Sequence, residues 1–335
     1  MSLAVLERML AGYLQTPQPC HMFGWQGGEP SLMGVDFFRD VVRLQSSLAR
    51  PGTRISNGFQ TNGTLLSDEW AQLFAEYRFL VGVSVDGPAR IHDRFRVDLG
   101  ERGTHARVWR GIAALKRRGV EYNVLTLVSR SNVKHPEAVY DELCKRGVFF
   151  HQYIECVEFE KENQPQPYAI RPEEWGDFLC RIFDRWYPRD VRRVSVRLFD
   201  TVLCQLVDGV SNTCASGRSC DQYFVVEYNG DVYPCDFHVR EDLRLGNVLT
   251  DSWESMQNSE AYRSFASAKT RCNRACDACP WLRFCHGDCP KNRTGGVSKP
   301  DSLSYLCAGW KQFYAHTLPR FEQLATEIRR MRIGL

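Results

Sequence analysis

The chain has 335 residues, 43% of them apolar and 25% charged, with a formal net charge of +3, which is material for one large or two ordinary domains. No basic block stands out, so neither nucleic acid nor an anionic membrane surface is indicated as a partner. No apolar run approaches the roughly 20 residues that span a bilayer.

The chain opens with MSLAVLERMLAGYL, an amphipathic-helix pattern in which Glu7 and Arg8 interrupt the apolar core a signal peptide needs. A cytoplasmic protein is expected. Over the first 160 residues, short runs rich in aromatic and β-branched residues alternate with amphipathic stretches. The runs at 21–25, 53–62, 79–86, 122–129 and 149–156 read as strands. VDFFRDVVRLQSSL, SDEWAQLFAEY, HARVWRGIAALKRRG and HPEAVYDELCKRG read as helices between them. Ser67-Asp68-Glu69 marks a helix start, and Gly119 and Gly147 mark helix ends. Repeated βα units of this length predict a parallel sheet, open or closed into a barrel. In such folds the chemistry sits at the carboxyl ends of the strands.

Residues 172–208 carry two further helical patterns, and then the texture changes. YFVVEYNGDVYPCDF, residues 223–237, predicts a β-hairpin turning at Asn229-Gly230. From 270 to 300 the chain is dense in Cys, Gly, Pro and Lys/Arg with few aliphatic residues. Such a segment buries too little surface to fold without metal ligation. The last 25 residues return to an amphipathic helix, with a break or kink expected at Pro319.

The chain contains 14 cysteines, and in a reducing compartment metal binding or catalysis is a better reading for them than disulfides. Cys20, Cys144, Cys156, Cys180 and Cys204 are scattered and read as small buried apolar residues. The rest fall between Cys214 and Cys307, which suggests a domain boundary ahead of them. Cys276-x2-Cys279-x5-Cys285-x3-Cys289, with Cys214-x5-Cys220, Cys235 and Cys307, makes eight thiols, or two sets of four. Spacing alone leaves two structural zinc sites and two iron–sulfur clusters both open. Cys272 is expected not to be a ligand.

FGWQGGEP (23–30) closes the first strand. Its paired glycines let backbone approach a ligand closely. Glu29 beside them offers a carboxylate to an ammonium group. Read alone, Gly-Gly-Glu-Pro is more often simply a turn.

Taken together, QGGEP (26–30), QTNGTLL (60–66), VGVSVDGP (81–88), IHD (91–93), the stretch from YPCDF to RLGN (233–247), the clustered cysteines and SYLCAGW (304–310) carry a resemblance over nearly the whole chain. The chain resembles the radical S-adenosylmethionine enzymes with a SPASM domain, and among them the anaerobic sulfatase-maturating enzymes. The resemblance implies an α/β fold: a partial (βα)6 TIM-like barrel over 1–195, then a Cys-rich SPASM domain over 196–335 with a β-hairpin and a C-terminal helix. It implies S-adenosylmethionine and auxiliary [4Fe–4S] clusters as cofactors. Gln26, Gly28, Glu29, Asn62, Ser84 and Arg96 are implied as cofactor or active-site neighbours, Arg96 on the loosest match. Cys214, Cys220, Cys235 and Cys289 are implied to bind one auxiliary cluster, and Cys276, Cys279, Cys285 and Cys307 the other.

The implied reaction oxidises a Cys or Ser side chain of a sulfatase polypeptide to Cα-formylglycine. A 5′-deoxyadenosyl radical removes a hydrogen from Cβ, Asp236 takes the thiol or hydroxyl proton, and an electron leaves through the auxiliary clusters. A monomer is implied, served by a reductant such as flavodoxin or ferredoxin. Another SPASM peptide-modifying maturase, and a zinc-stabilised binding module without a redox role, are the alternatives.

The resemblance breaks at one point. The motif C-x-x-x-C-x-x-C that holds the family's catalytic cluster does not occur in this chain, and Cys20 stands alone ahead of QGGEP. Five strands are legible where the family has six. The barrel is therefore expected to lack its first strand, with the chain opening at a methionine that is internal in the family. A misassigned or truncated start, a natural degenerate form, and a partner chain that supplies the missing cluster would each account for this. Under any of them this chain alone is expected to have no radical activity, and an exposed strand edge is expected to favour aggregation.

Overall fold

The helix and strand periods of the sequence translate directly into βα units. The computed structural model describes residues 1–160, 164–332 and 334. In chain order these form α1 (Leu3–Tyr13), β1 (Cys20–Trp25), α2 (Val35–Leu48), β2 (Arg54–Thr61), α3 (Asp68–Glu76), β3 (Leu80–Ser84), α4 (Ala89–His92), α5 (His105–Arg117), β4 (Tyr122–Val128), α6 (Pro136–Lys145), β5 (Phe150–Glu155), α7 (Pro172–Trp186), β6 (Ser195–Val196) and α8 (Arg197–Asp208). The strands keep chain order, β1 to β6, in one sheet. That is one strand more than the five legible in the sequence. The added strand is β6, whose two residues carry no periodicity to read. None of the described helices is long and apolar enough to cross a membrane.

The chain divides into two units that interleave in sequence: residues 1–85, 96–124 and 223–264, and residues 86–95, 125–222 and 265–335. In the first unit β1 pairs in parallel with β2, from Cys20 opposite Arg54 to Trp25 opposite Phe59. β2 pairs in parallel with β3, from Gly58 opposite Leu80 to Thr61 opposite Val83. The apolar stripes of α2 and α3 meet the sheet through aromatic packing, with Phe59 5.0 Å from Phe38, 5.4 Å from Trp70 and 4.9 Å from Phe74 between ring centroids. Ser67 caps α3 by accepting from the Trp70 amide. Gly119 and Gly147 take positive φ just past α5 and α6, as helix ends do.

The predicted hairpin forms here as well. β7 (Val225–Val226) and β8 (Asp231–Tyr233) pair antiparallel, and β9 (Gly246–Asn247) joins β8. The Gly230 amide donates to the Glu227 carbonyl at 2.9 Å, with Gly230 at φ 92°. This is a three-residue connection with glycine in the left-handed position. Within the same unit Tyr13 of α1 meets Trp253, at 5.8 Å between rings. Trp253 opens α9 (Trp253–Gln257).

The second unit is built round α7, α8 and the long α12 (Cys307–Arg332), with the shorter α10 (Glu260–Ala268) ending and α11 (Leu282–Cys285) lying ahead of it. β5 pairs in parallel with β6. Phe183 lies 4.7 Å from Phe321 and 5.4 Å from Phe199. α12 is not broken at Pro319 but runs helical through it. Burial of Phe313, Tyr314, Phe321 and Leu324 along one face outweighs the single hydrogen bond proline removes.

α7 and α12 approach at glycines. A Cβ on Gly309 would lie 2.2 Å from the Pro172 carbonyl oxygen and 3.0 Å from the Gly176 amide nitrogen. Both atoms are helix backbone, which cannot rotate aside. Gly309→Ala is expected to destabilise the protein by about 3 kcal/mol or more, read as a lower urea midpoint. An unchanged midpoint would show that the helices can separate freely.

His151 is 2% exposed, with Nε2 3.0 Å from the Val148 carbonyl and Nδ1 3.2 Å from the Tyr153 hydroxyl. Burial pushes its pKa down to about 4, against the raising effects of the Val148 carbonyl and Asp190. The unfolded chain binds the proton near pH 6.5 and the folded chain only near 4. Stability is therefore full above pH 6.5 and falls as pH drops towards 4, by about 3 kcal/mol. Urea unfolding at pH 7 and pH 5 checks this, and His151→Phe is expected to flatten that difference.

Candidate active site and cluster-binding cysteines

Within the first unit, the carboxyl ends of consecutive strands supply the predicted site. β1 ends at Trp25, and Gly27 and Gly28 then turn the chain at φ 95° and 50°, a conformation that disfavours any side chain. Glu29 follows in extended backbone and holds its carboxylate in a fixed cradle. Oε1 accepts from the Ser31 amide at 3.1 Å, the Ser31 hydroxyl at 2.7 Å and the Thr61 hydroxyl at 2.7 Å. Oε2 accepts from the Asn62 amide at 2.7 Å. An oxygen that carries a single bond retains capacity for a cation.

Asn62 lies one residue past β2, and its Oδ1 accepts from the amide and hydroxyl of Thr64 at 2.9 and 2.7 Å. Ser84 is the last residue of β3, and its Oγ accepts from Gln60 at 3.4 Å. Glu29, Asn62 and Ser84 thus share one edge of the sheet. Arg96 lies further along the chain, where its carbonyl accepts from the Thr104 amide and hydroxyl.

Gln26 reaches a residue 210 positions away in sequence. Its Nε2 donates to Asp236 Oδ2 at 3.0 Å. The other oxygen of Asp236 accepts from the Tyr223 hydroxyl at 3.1 Å and lies 3.5 Å from the Cys235 sulfur. The Asp236 carboxylate is therefore oriented from both sides and sits against a predicted cluster ligand. Gln26 was expected beside the cofactor, and here it is bonded to the expected base. Tyr223, Ser31 and Thr61 complete these networks without having been singled out in the sequence. A hydroxyl at a strand end carries no spacing signal of its own.

In the second unit, Cys276, Cys279, Cys285 and Cys307 line one pocket, walled in part by Leu282 and Trp310. Cys276 comes from a short helical turn, Cys285 from the end of α11 and Cys307 from the first position of α12. Among the described residues the buried indole Nε1 of Trp310, which also lines the pocket, has no acceptor. The donor set is all thiol, which fits iron–sulfur ligation.

Cys214, Cys220 and Cys289 also belong to the second unit, and Cys235 belongs to the first. The Cys220 amide donates to the Ala266 carbonyl at 3.2 Å, and the Cys289 amide to Asp288 Oδ1 at 2.7 Å. The ninth thiol, Cys272, lies 3.8 Å from the His286 carbonyl, outside the residues that line the cavity. Burial pushes the thiols of Cys235 and Cys285 up to about 12 and that of Cys289 well above its ordinary value. Thiols in this state are neutral and unreactive, and a bound metal would have to displace their protons.

Comparison with known proteins places the chain in a family. Residues 1–143 match the radical SAM superfamily, and residues 214–280 match SPASM, an iron-sulfur cluster-binding domain. The serine-type anaerobic sulfatase-maturating enzyme of Bacteroides thetaiotaomicron is 33% identical over 98% of this chain and 83% of its own length. The cysteine-type enzyme of Clostridium perfringens is 34% identical over 97% of this chain and 89% of its own. The solved structure of native anSMEcpe with bound AdoMet and the Kp18Cys peptide superposes with a TM-score of 0.94 at 33% identity, covering 98% of this chain and 91% of that one. Streptococcus suis SuiB bound to S-adenosylmethionine shares the fold, at a TM-score of 0.63 and 14% identity. Sequence identity at this level along nearly its whole length means that the chain belongs to the anaerobic sulfatase-maturating enzymes, radical SAM proteins that carry a SPASM domain.

Proposed function

We propose that this chain binds S-adenosylmethionine and two auxiliary [4Fe–4S] clusters and takes part in oxidising a sulfatase Cys or Ser to Cα-formylglycine. The observation that carries this reading is the shared identity with both serine-type and cysteine-type sulfatase-maturating enzymes along nearly the whole chain. Residues 1–195 form the barrel portion and 196–335 the SPASM portion. Glu29, seated against Asn62 and flanked by Gly28, takes the cofactor's amino group, a charge-assisted bond. Ser84 and Arg96 complete the cofactor's surroundings, and Gln26 serves both cofactor and base. Cys214, Cys220, Cys235 and Cys289 hold one cluster, and Cys276, Cys279, Cys285 and Cys307 the other.

When bound, the auxiliary clusters would supply an exit for an electron. Hydrogen abstraction at Cβ would also need the family's catalytic cluster, whose C-x-x-x-C-x-x-C motif does not occur in this chain, so the chain alone is proposed to have no radical activity. The chain's own contribution is proton transfer and orientation. Asp236 removes the proton from the substrate thiol or hydroxyl, with its carboxylate aimed by Gln26 and Tyr223. A carboxylate one residue from a cluster ligand couples proton loss to electron loss over a short distance. The protein acts as a cytoplasmic monomer with a flavodoxin- or ferredoxin-type reductant.

Peptide binding tests the substrate assignment. The reconstituted chain is expected to bind a peptide with a Cys-x-Pro-x-Arg or Ser-x-Pro-x-Arg core at least about tenfold more tightly than its scrambled counterpart, a difference of about 1.4 kcal/mol. Equal affinity for the two would point to another class of peptide modified by SPASM enzymes.

A further inference from the structure

Two cations lie deep in the second unit. Lys269 is 0% exposed and Arg293 is 1% exposed. Among the described residues, each donates only to backbone carbonyls. Lys269 Nζ donates to the carbonyls of Cys214 and Ala215, both at 2.6 Å. Arg293 donates to Gly287 at 3.0 Å, Arg271 at 2.9 Å, Pro300 at 2.6 Å and Lys269 at 3.1 Å. The neighbouring Asp288 carboxylate is engaged elsewhere, accepting from Ser304 at 2.7 Å, Asn292 at 3.2 Å and the Cys289 amide at 2.7 Å.

Carbonyl oxygens satisfy the hydrogen bonds of a buried cation but do not neutralise it, and a buried charge is costly without a counter-charge. Two such cations in one Cys-rich segment imply an anion to which they are matched. The thiols around them are candidates. Lys269 Nζ bonds the carbonyl of Cys214 itself, and Arg293 bonds the carbonyls of His286, next to Cys285, and Asp288, next to Cys289, both at 3.4 Å. The two cations therefore stand beside the backbone of both predicted ligand sets.

We propose that Lys269 and Arg293 are built-in counter-ions of the auxiliary clusters, stabilising the more negative, reduced state and so raising the potential at which each cluster accepts an electron. The proposal rests on the cluster reading above. The oxidation of Cys or Ser withdraws two electrons, one with the hydrogen atom from Cβ and one after proton loss to Asp236. A serine becomes the aldehyde directly, whereas a cysteine becomes a thioaldehyde that water hydrolyses to formylglycine with release of hydrogen sulfide. The second electron reduces a cluster by one unit, and a fixed positive charge beside the cluster makes that step easier.

Lys269→Gln keeps amide donors for the two carbonyls but removes the charge, whereas Lys269→Arg keeps the charge. The full chain and both variants would be reconstituted anaerobically and titrated electrochemically, with cluster reduction followed by electron paramagnetic resonance. The Gln variant is expected to lower the midpoint of one cluster by about 59 mV, a tenfold change in the reduced-to-oxidised ratio of a one-electron couple. The Arg variant is expected to match the parent. An unchanged midpoint in the Gln variant would overturn the proposal.

Iron and sulfide analysis of the reconstituted proteins adds a second readout. The Gln variant is expected to hold as much iron and sulfide as the parent, because only a charge has been removed. A Gln variant that loses one cluster while the Arg variant keeps both would make Lys269 a carbonyl clamp and overturn the proposal. A parent chain that takes up no iron at all would instead defeat the cluster reading, and this proposal with it, before any variant is compared.

Discussion

Cys285→Ala is expected to remove about four of about eight iron atoms per chain, because each cubane cluster depends on a complete set of thiolates. The loss would extend beyond the metal. Cys285 ends α11, Cys307 begins α12, and both line the cavity with Cys276 and Cys279. A cluster there ties the loops from 276 to 307 to the helix that closes the second unit's core. Metal-binding energy in such segments is folding energy, so the variant is expected to lose several kcal/mol of stability. Cys272→Ala supplies the contrast. That thiol faces the His286 carbonyl at 3.8 Å, and its removal is expected to leave the iron content unchanged. Iron and sulfide analysis of the two variants checks both expectations. Equal iron in Cys285→Ala and the parent would remove Cys285 from the ligand set.

Glu29→Gln is expected to weaken S-adenosylmethionine binding by roughly tenfold to a hundredfold, the worth of a charge-assisted hydrogen bond. The substitution preserves shape and one acceptor oxygen. However, the new amide nitrogen would face a donor, either the Asn62 amide at Oε2 or the Ser31 and Thr61 donors at Oε1. Local loosening of the turn is therefore expected along with the loss of charge. Equilibrium dialysis with labelled cofactor measures the affinity, and urea unfolding measures the loosening. Unchanged affinity would leave Glu29 as a turn residue that only joins β1 to β2.

The fold was legible wherever burial imposes a period. β1 to β5, the cap at Ser67, the glycines past α5 and α6 and the turn at Gly230 all follow from pattern or turn chemistry. β6 was not legible because two residues cannot display alternation. The uninterrupted α12 was not legible either. Pro319 marks a break or a kink locally, and the packing of Phe313 and Phe321 that keeps the helix unbroken is tertiary. The same distinction governs the site. QGGEP and the cysteine array are local, so their residue types point to their chemistry. The Gln26–Asp236 bond joins positions 210 residues apart, and nothing in either neighbourhood foretells it. Lys269 and Arg293 stand in no sequence motif, and only their burial distinguishes them.

The central claim is that the clustered thiols hold iron–sulfur clusters in a SPASM domain. It is tested most directly by reconstituting the chain anaerobically and measuring iron, sulfide and zinc per polypeptide. Two four-cysteine clusters predict about eight iron and about eight sulfide, with little zinc. Stoichiometric zinc with no iron would contradict the claim and leave a structural metal domain in its place.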